Sequence, residues 1–452
     1  MRTLWFISLL SAICLEGLGR RYLPAIPATT FYFAKDIVLL VGLFFFRPPP
    51  SISKASTFLY RGFKLVWVVA AVWTIGELLN PEQQSYVLGI IGLRSYWFWW
   101  LVAPPVMACA LQQEREKRRA IYALLVMATG IAVLAAFQFA APADSPLNTY
   151  SVVDGEDVHP EQVTVSETAH ARVASTFSYI SGFSDFTLLV PTLLLSIGLD
   201  AKEKRLQRFA LIATSLTAAV VPMSGSRTSV ILGIGILGVT AFSAGLFATR
   251  AGRRIMMGGL VAAIFAVVIF PDAILGVQSR FGDIDETQTR VTLGVANVVP
   301  PLALATFDYP PFGIGTGMMQ NARFSMHIQS QWDNELEAAR YLAELGPIGY
   351  LLIWTTRLGL IVALLRAHRI LKLAGRRGAA AAAMSYAFLT VAGNLTFDHI
   401  FQALYFTGCG FILSEVVSAT RSEVATVTSI NSAPSIAILS HPSSRTPAVT
   451  AG

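Results

Sequence analysis

SRFGDIDETQTR (279–290), DYPPFGIGTG (308–317) and DNELEAARYLAELGPIG (333–349) are the polar stretches of a chain that is otherwise strongly apolar. Residues 271–340, which hold most of them, sit between runs that each suit a lipid-embedded helix. A long polar segment with arginines, a glycine turn and a Glu/Arg-rich helix points to chemistry at a membrane surface.

Composition sets the class. Hydrophobic residues make up 54% of the 452 residues and charged residues 13%. A soluble domain carries roughly 25% charged residues. Apolar runs of about 20 residues recur along the chain, and each can cross a ~30 Å hydrocarbon core as a helix. About twelve such runs are expected: 3–19, 29–46, 63–79, 94–111, 120–141, 179–199, 209–223, 228–248, 254–270, 341–365, 379–396 and 400–418. The expected fold class is an all-α polytopic membrane protein with a large loop between spans nine and ten. Residues 1–141 carry spans one to five and 142–178 an acidic outer loop. Residues 179–270 carry spans six to nine and 271–340 the large loop with the candidate active site. Residues 341–420 carry the last three spans, and 421–452, rich in Ser, Thr, Ala and Pro, read as a disordered tail. No small-x-small cleavage site follows Cys14, and Glu16 and Arg20 stand in its place, so the first run is expected to stay as a span.

Basic residues alternate between loops. Arg47, Lys54 and Arg61 follow span two, Arg115 to Arg119 follow span four, and Lys202 to Arg208 follow span six. Arg250 to Arg254 and Arg366 to Arg377 continue the pattern. These loops are expected to face the cytoplasm, with both termini. The net charge of +7 is then largely topogenic, and its spread over five loops argues against a nucleic-acid partner. Arg20 and Arg21 fall on the outer side, either as a tolerated exception or as anion ligands. The three cysteines fall inside spans and behave as small hydrophobes, and neither a disulfide framework nor a metal site is expected.

Arg227 ends MSGSR (223–227) just before an apolar run. A fixed cation there needs an anionic partner or water. The Ser-Gly-Ser turn and a helix N-terminus favour a phosphate or pyrophosphate; a snorkelling side chain is the other reading. Arg172 precedes span six in HARVASTFSYISGF (170–183), and Arg280 and Arg290 lie in the polar segment. Arginine suits a pyrophosphate because its planar fork grips two oxygens. The glycines of YPPFGIGTG read as a backbone nest for an anion or as a re-entry turn. Glu337, Arg340, Tyr341 and Glu344 share one helix face. Glu335 and Glu337 near its start either complement the helix dipole, with Asp333 or Asn334 as cap, or deprotonate a sugar hydroxyl.

The order of SGSR, R-x-T-L, YPPFGIGTG and AELGPIGYLL resembles the O-antigen ligase and polymerase superfamily, most clearly over residues 170–365. The resemblance implies a GT-C-like, metal-independent glycosyltransferase of the bacterial inner membrane, without cofactor. It implies a donor oligosaccharide on undecaprenyl pyrophosphate, an acceptor glycan, membrane lipids and a chain-length regulator as partners. By position it makes Arg172, Arg227 and Arg290 pyrophosphate ligands, with Arg340 a further substrate-binding residue. Ligases of the family place a histidine about three turns before the glycine matching Gly346. Here that neighbourhood holds Glu335, Leu336 and Glu337, and the nearest histidine is His327. This departure favours a polymerase, with Glu335, Glu337 and His327 as candidates for acceptor activation, over a ligase acting on lipid A-core. A twelve-span secondary transporter is the competing class. Against it stand the absence of an evident internal repeat and the scarcity of mid-span charge, since Lys35, Asp36 and Glu77 fall nearer span ends.

Orientation is open to direct labelling. Asp157→Cys, Asp285→Cys and Gln329→Cys, in a background without native cysteines, are expected to react with an impermeant thiol reagent in spheroplasts. Glu116→Cys, Glu203→Cys and Ser435→Cys are expected to stay unlabelled. Labelling at 203 but not at 285 inverts the topology.

Overall fold

A backbone in hydrocarbon has no water to bond, so it closes its hydrogen bonds along helices. The chain is accordingly mostly helical. The computed structural model describes residues 1–148, 151–153, 156–158, 162–165, 168–279, 284–328, 331–332 and 335–431. Of the residues singled out above, Arg280, Gln329, Asp333, Asn334 and the tail from 432 lie outside the described residues, as do the side chains of Asp157, Asp285 and Arg290.

The first half contains α1 (Arg2–Cys14), α2 (Glu16–Tyr22), α3 (Ala28–Phe45), α4 (Pro50–Leu59), α5 (Lys64–Gly76), α6 (Tyr86–Leu93), α7 (Trp99–Ala110) and α8 (Glu114–Ala140). A wide helical turn, Arg94–Phe98, joins α6 to α7. Next come α9 (Ile180–Asp200), α10 (Lys204–Ala219), α11 (Arg227–Ser243) and α12 (Arg250–Ile269). The polar segment contributes α13 (Pro271–Ser279), α14 (Ile284–Val298), α15 (Pro300–Thr306) and α16 (Ala322–Ser325). The chain then forms α17 (Glu337–Leu373), α18 (Arg377–Ala392) and α19 (His399–Asn431).

Seven helical stretches among the described residues are long and apolar enough to cross a membrane, and nine if two bent pairs each count as one span. The bends are 69° between α1 and α2 and 89° between α4 and α5. The other three expected spans coincide with α11, α12 and α18, which stand outside that set. α11 and α18 have only 17 and 16 residues. Apolar side chains such as Phe44, Val72 and Phe242 are exposed, as lipid-facing residues are. α18 differs: its run Ala379–Ala383 is buried where it packs on α9, α11 and α17. Small residues allow such close helix approach.

The acidic loop is not all irregular. Two antiparallel hairpins form, Ser151–Val153 with Glu156–Val158 and Gln162–Val165 with Thr168–Ala171. Their valines and threonines suit a pleated strand. The three cysteines are free and buried.

α17 is broken at Gly346, whose φ of 63° and ψ of −179° suit glycine alone. Pro347 cannot donate to the preceding turn, so carbonyls there need other partners. The glycine loop supplies them: Ile314 N donates to Ala343 O (2.9 Å) and Gly315 N to Glu344 O (3.1 Å). Trp73 Nε1 donates to Leu345 O (3.1 Å). The loop also takes an acidic side chain of the protein's own: Met319 N donates to the Glu344 carboxyl group (2.6 Å), and so does Tyr96 OH (2.8 Å). A Cβ at Gly317 would stand 2.0 Å from Leu88 O, so backbone meets backbone there.

At the other end, Lys117 and Arg376 pair with Glu415, and Asp200 caps α18 through Gly378 N and Ala379 N (both 2.8 Å). The expectation of little charge inside the bundle is corrected. Lys35 is fully buried and pairs with buried Glu16 at 2.9 Å; Asp36 pairs with Arg94; Glu337 pairs with Arg357.

Candidate functional site

The turn between α18 and α19, GNLTFDH (393–399), is where these buried polar groups meet. Its shape follows from its sequence. Gly393 lies so close to Phe401 that a Cβ would stand 2.1 Å from the ring. Asn394 Oδ1 accepts from Phe397 N (3.0 Å), closing the turn. Asp398 Oδ1 accepts from Ile400 N (2.9 Å) and Phe401 N (3.1 Å), capping α19. Gln402 Nε2 donates back to Leu395 O (2.9 Å).

The residues from 396 to 399 then meet α17, α9 and the α2–α3 region in turn. Thr396 N donates to Glu337 Oε1 (2.9 Å), and its hydroxyl meets Tyr341 OH (2.6 Å). Tyr341 OH donates to Glu337 Oε1 (2.9 Å), and Arg357 pairs with the other oxygen. Arg340 lies over the Phe397 ring, 5.4 Å from its centre, and its Nη1 donates to Asn321 Oδ1 (3.4 Å). Asp398 abuts Asp185 of α9. His399 brings Nε2 to 3.4 Å from Glu16 Oε2, and its ring centre lies 4.7 Å from that of Tyr32, tilted by 59°.

Arg172, near the end of the acidic loop, meets the turn that precedes Arg227. Arg172 Nε donates to Ser224 O (3.2 Å), and Val173 N to Met223 O (3.1 Å). Ser226 Oγ accepts from Ser229 N (3.3 Å) and caps α11, making Arg227 its first residue. Gly225 turns the chain with φ 63°. The SGSR motif therefore does form a helix start, and Arg172 bonds to the turn that leads into it. From Arg172 the chain runs directly to the cluster: Thr176 O accepts from Leu18 N (3.2 Å), two residues past Glu16. The four-residue path from Arg172 to Thr176 spans at most about 14 Å. Gly17 meets the Phe177 backbone so closely that a Cβ would lie 2.1 Å away.

Arg290 sits on α14, which packs on α17 and α18, and Asn297 Oδ1 there accepts from Ala338 N (2.8 Å). Glu335 and His327 are both exposed, and His327 has φ 55°. Glu337 is corrected. It is 4% exposed, and its oxygens already accept from Arg357, Tyr341 and Thr396. It positions the turn instead. The sequence reading missed Glu16, Asp185, Arg357, Asp398 and His399. The available signal was an ionisable residue inside or at the edge of an apolar run, which in a membrane marks a functional or paired group.

Among the described residues no group of three His, Cys, Asp or Glu stands close enough to hold a metal ion. An open cavity of about 660 Å³ lies where Lys54, Arg61 and Lys64 gather, toward the far end of α17, whose Arg366 donates to Leu59 O (2.8 Å). The chain matches no protein-family model, and no curated protein sequence matches it.

The two glutamates at the start of α17 are separable by substitution. Glu337→Gln leaves Arg357 buried without a counter-charge and is expected to cost about 3–5 kcal/mol, read as a lowered melting temperature in detergent. Glu335→Gln, at an exposed position, is expected to leave melting unchanged. Equal melting of both variants contradicts the positioning role of Glu337.

Proposed function

We propose that the chain is a metal-independent glycosyltransferase that polymerises O-antigen or exopolysaccharide repeat units. It moves glycan from undecaprenyl pyrophosphate to an acceptor sugar hydroxyl at the outer face of the bacterial inner membrane. The proposal includes twelve crossings in a GT-C-like arrangement, both termini in the cytoplasm, and a chain-length regulator as partner.

The observation that carries it is the pairing of Arg172 with the SGSR turn, beside a cluster of acids and a histidine. Arg172 reaches Ser224 O (3.2 Å), and Arg227 begins α11 three residues later. Two guanidinium groups and the start of a 17-residue helix put fixed positive charge at one edge of the bundle. A lipid pyrophosphate leaving from an anomeric carbon develops negative charge on its oxygens. Pre-placed arginines stabilise that charge without reorganising, and supply what a divalent cation supplies elsewhere. Displacement in one step inverts the anomeric carbon.

The glycine loop takes no part in donor binding in this reading, because Glu344 fills it. Ligase action on lipid A-core uses the same donor chemistry and differs only in the acceptor. The acidic neighbourhood of Glu335 favours the polymerase. A transporter is a second reading with an observation of its own. The buried pairs Glu16–Lys35 and Asp36–Arg94 are the kind of intramembrane charge that ion-coupled carriers use.

In a deletion strain the long-chain ladder is expected to vanish while single repeat units accumulate on their lipid carrier. Arg172→Ala and Arg227→Ala are each expected to cut transfer about 10²–10³-fold, with normal protein abundance and poor rescue by lysine. Full-length polymer made by both alanine variants contradicts the pyrophosphate site. Polymer left stranded on its lipid in the deletion strain indicates a ligase. A carrier is indicated by solute flux in liposomes without glycan transfer.

A further inference from the structure

Three groups in this structure are arranged like a general base and its support, and none lies in the large polar loop. His399 opens α19 at the edge of the bundle. Its Nε2 is buried and stands 3.4 Å from Glu16 Oε2. Its side chain nevertheless keeps 27% of its surface exposed. With Nε2 buried, that exposure belongs to the rest of the ring, the edge that carries Nδ1. An imidazole facing a carboxylate carries its proton on that side, so the outward nitrogen holds a lone pair. A contact of 3.4 Å is long for a hydrogen bond, as acid–base contacts without substrate commonly are.

Glu16 is fixed for this task. It is 2% exposed and pairs with Lys35 (2.9 Å) and with Arg20 four residues on. Lys35 also donates to Tyr32 O (2.7 Å), and the Tyr32 ring packs on His399 at 4.7 Å, tilted by 59°. Tyr32 OH in turn accepts from Arg94 (2.9 Å), which pairs with Asp36. The imidazole thus packs against a tilted aromatic ring and brings one nitrogen to face a carboxylate. The remaining charged neighbours are Asp398 of its own turn and, behind it, Asp185 of α9. A nucleophile-activating base oriented by a third group is the recurring pattern of acyl and glycosyl transfer.

Position supports the same role. The Glu16 element is tied to the 172–177 segment by the Leu18 N to Thr176 O bond (3.2 Å). That segment begins at Arg172. An acceptor hydroxyl at His399 and a pyrophosphate at Arg172 and Arg227 would therefore share one edge of the bundle.

We propose that His399, oriented by Glu16, is the general base that activates the acceptor sugar hydroxyl. The inference rests on the glycan-transfer reading above. In the step, the acceptor oxygen forms a bond to the anomeric carbon and gives its proton to Nδ1 of His399. The bond from that carbon to the pyrophosphate oxygen breaks, and the electron pair leaves with the lipid pyrophosphate onto the arginines. The proton then passes from His399 to water. Glu16 is a positioning residue and touches no substrate.

The test uses the full chain in proteoliposomes with undecaprenyl-pyrophosphate-linked repeat units as donor. His399→Asn is expected to lower kcat about 100-fold or more, with binding of undecaprenyl pyrophosphate within twofold of wild type. His399→Gly is expected to be equally slow and to regain at least about tenfold on addition of free imidazole. The imidazole arm decides even if the asparagine variant is unstable, because a packing defect does not respond to a free base. An asparagine variant that keeps more than a tenth of wild-type kcat overturns the proposal. So does a glycine variant that imidazole leaves unchanged. A wild-type protein that transfers no glycan overturns the transfer reading itself, and this inference with it; a live wild type with an indifferent His399 overturns the inference alone.

Discussion

The carboxylate of Glu337 is the anchor on which this end of the bundle, around the α18–α19 turn, depends. It accepts from Arg357, from Tyr341 OH and from the backbone of Thr396. A charge in a low-dielectric interior is costly unless paired and hydrogen-bonded. Satisfying this one fixes the start of α17, the middle of α17 and the α18–α19 turn relative to one another. The turn in turn sets Asp398 against Asp185 and His399 against Glu16. Position at this end of the molecule is therefore set by polar contacts, whereas the helices behind it are set by close packing of alanines and glycines.

The glycine loop applies the same logic a second time. Gly346 and Pro347 break α17 and strand its carbonyls, and residues 314 and 315 occupy them. Glu344 then fills the nest made by the following backbone N–H groups. A motif that invites comparison with phosphate-binding loops is here closed by an internal carboxylate. It braces the helix beside the turn and leaves anion binding to other residues.

Composition and apolar periodicity made the helical membrane class legible, because lipid leaves a spanning chain few alternatives. Helix starts were legible where the signal is local: Ser226 caps α11 three residues after the turn begins, and the motif needs nothing distant to form. The count of spans was less so, since α18 is buried among other helices and its alanines carry little of the apolarity that marks a lipid-facing run. The role of Glu337 was hidden because its partner Arg357 lies twenty residues on, beyond a break no periodicity reports. Lys35 and Asp36 could be seen in the sequence, yet their depth depends on Glu16 and Arg94, which only the packing of α2, α3 and the 94–98 turn brings near. Asp398 and His399 carried a usable signal as charged residues opening an apolar run, but nothing in their own neighbourhood names their partners.

Arg172 at the SGSR turn and an imidazole facing a carboxylate at the α18–α19 turn are read as one site, and that reading hinges on where a lipid pyrophosphate binds. The most direct measurement is electron cryomicroscopy of the protein in nanodiscs with undecaprenyl pyrophosphate. Phosphate density is expected within hydrogen-bonding distance of Arg172 and Arg227. Phosphate density beside Lys54, Arg61 and Lys64 instead, with none at Arg172 and Arg227, would contradict that reading.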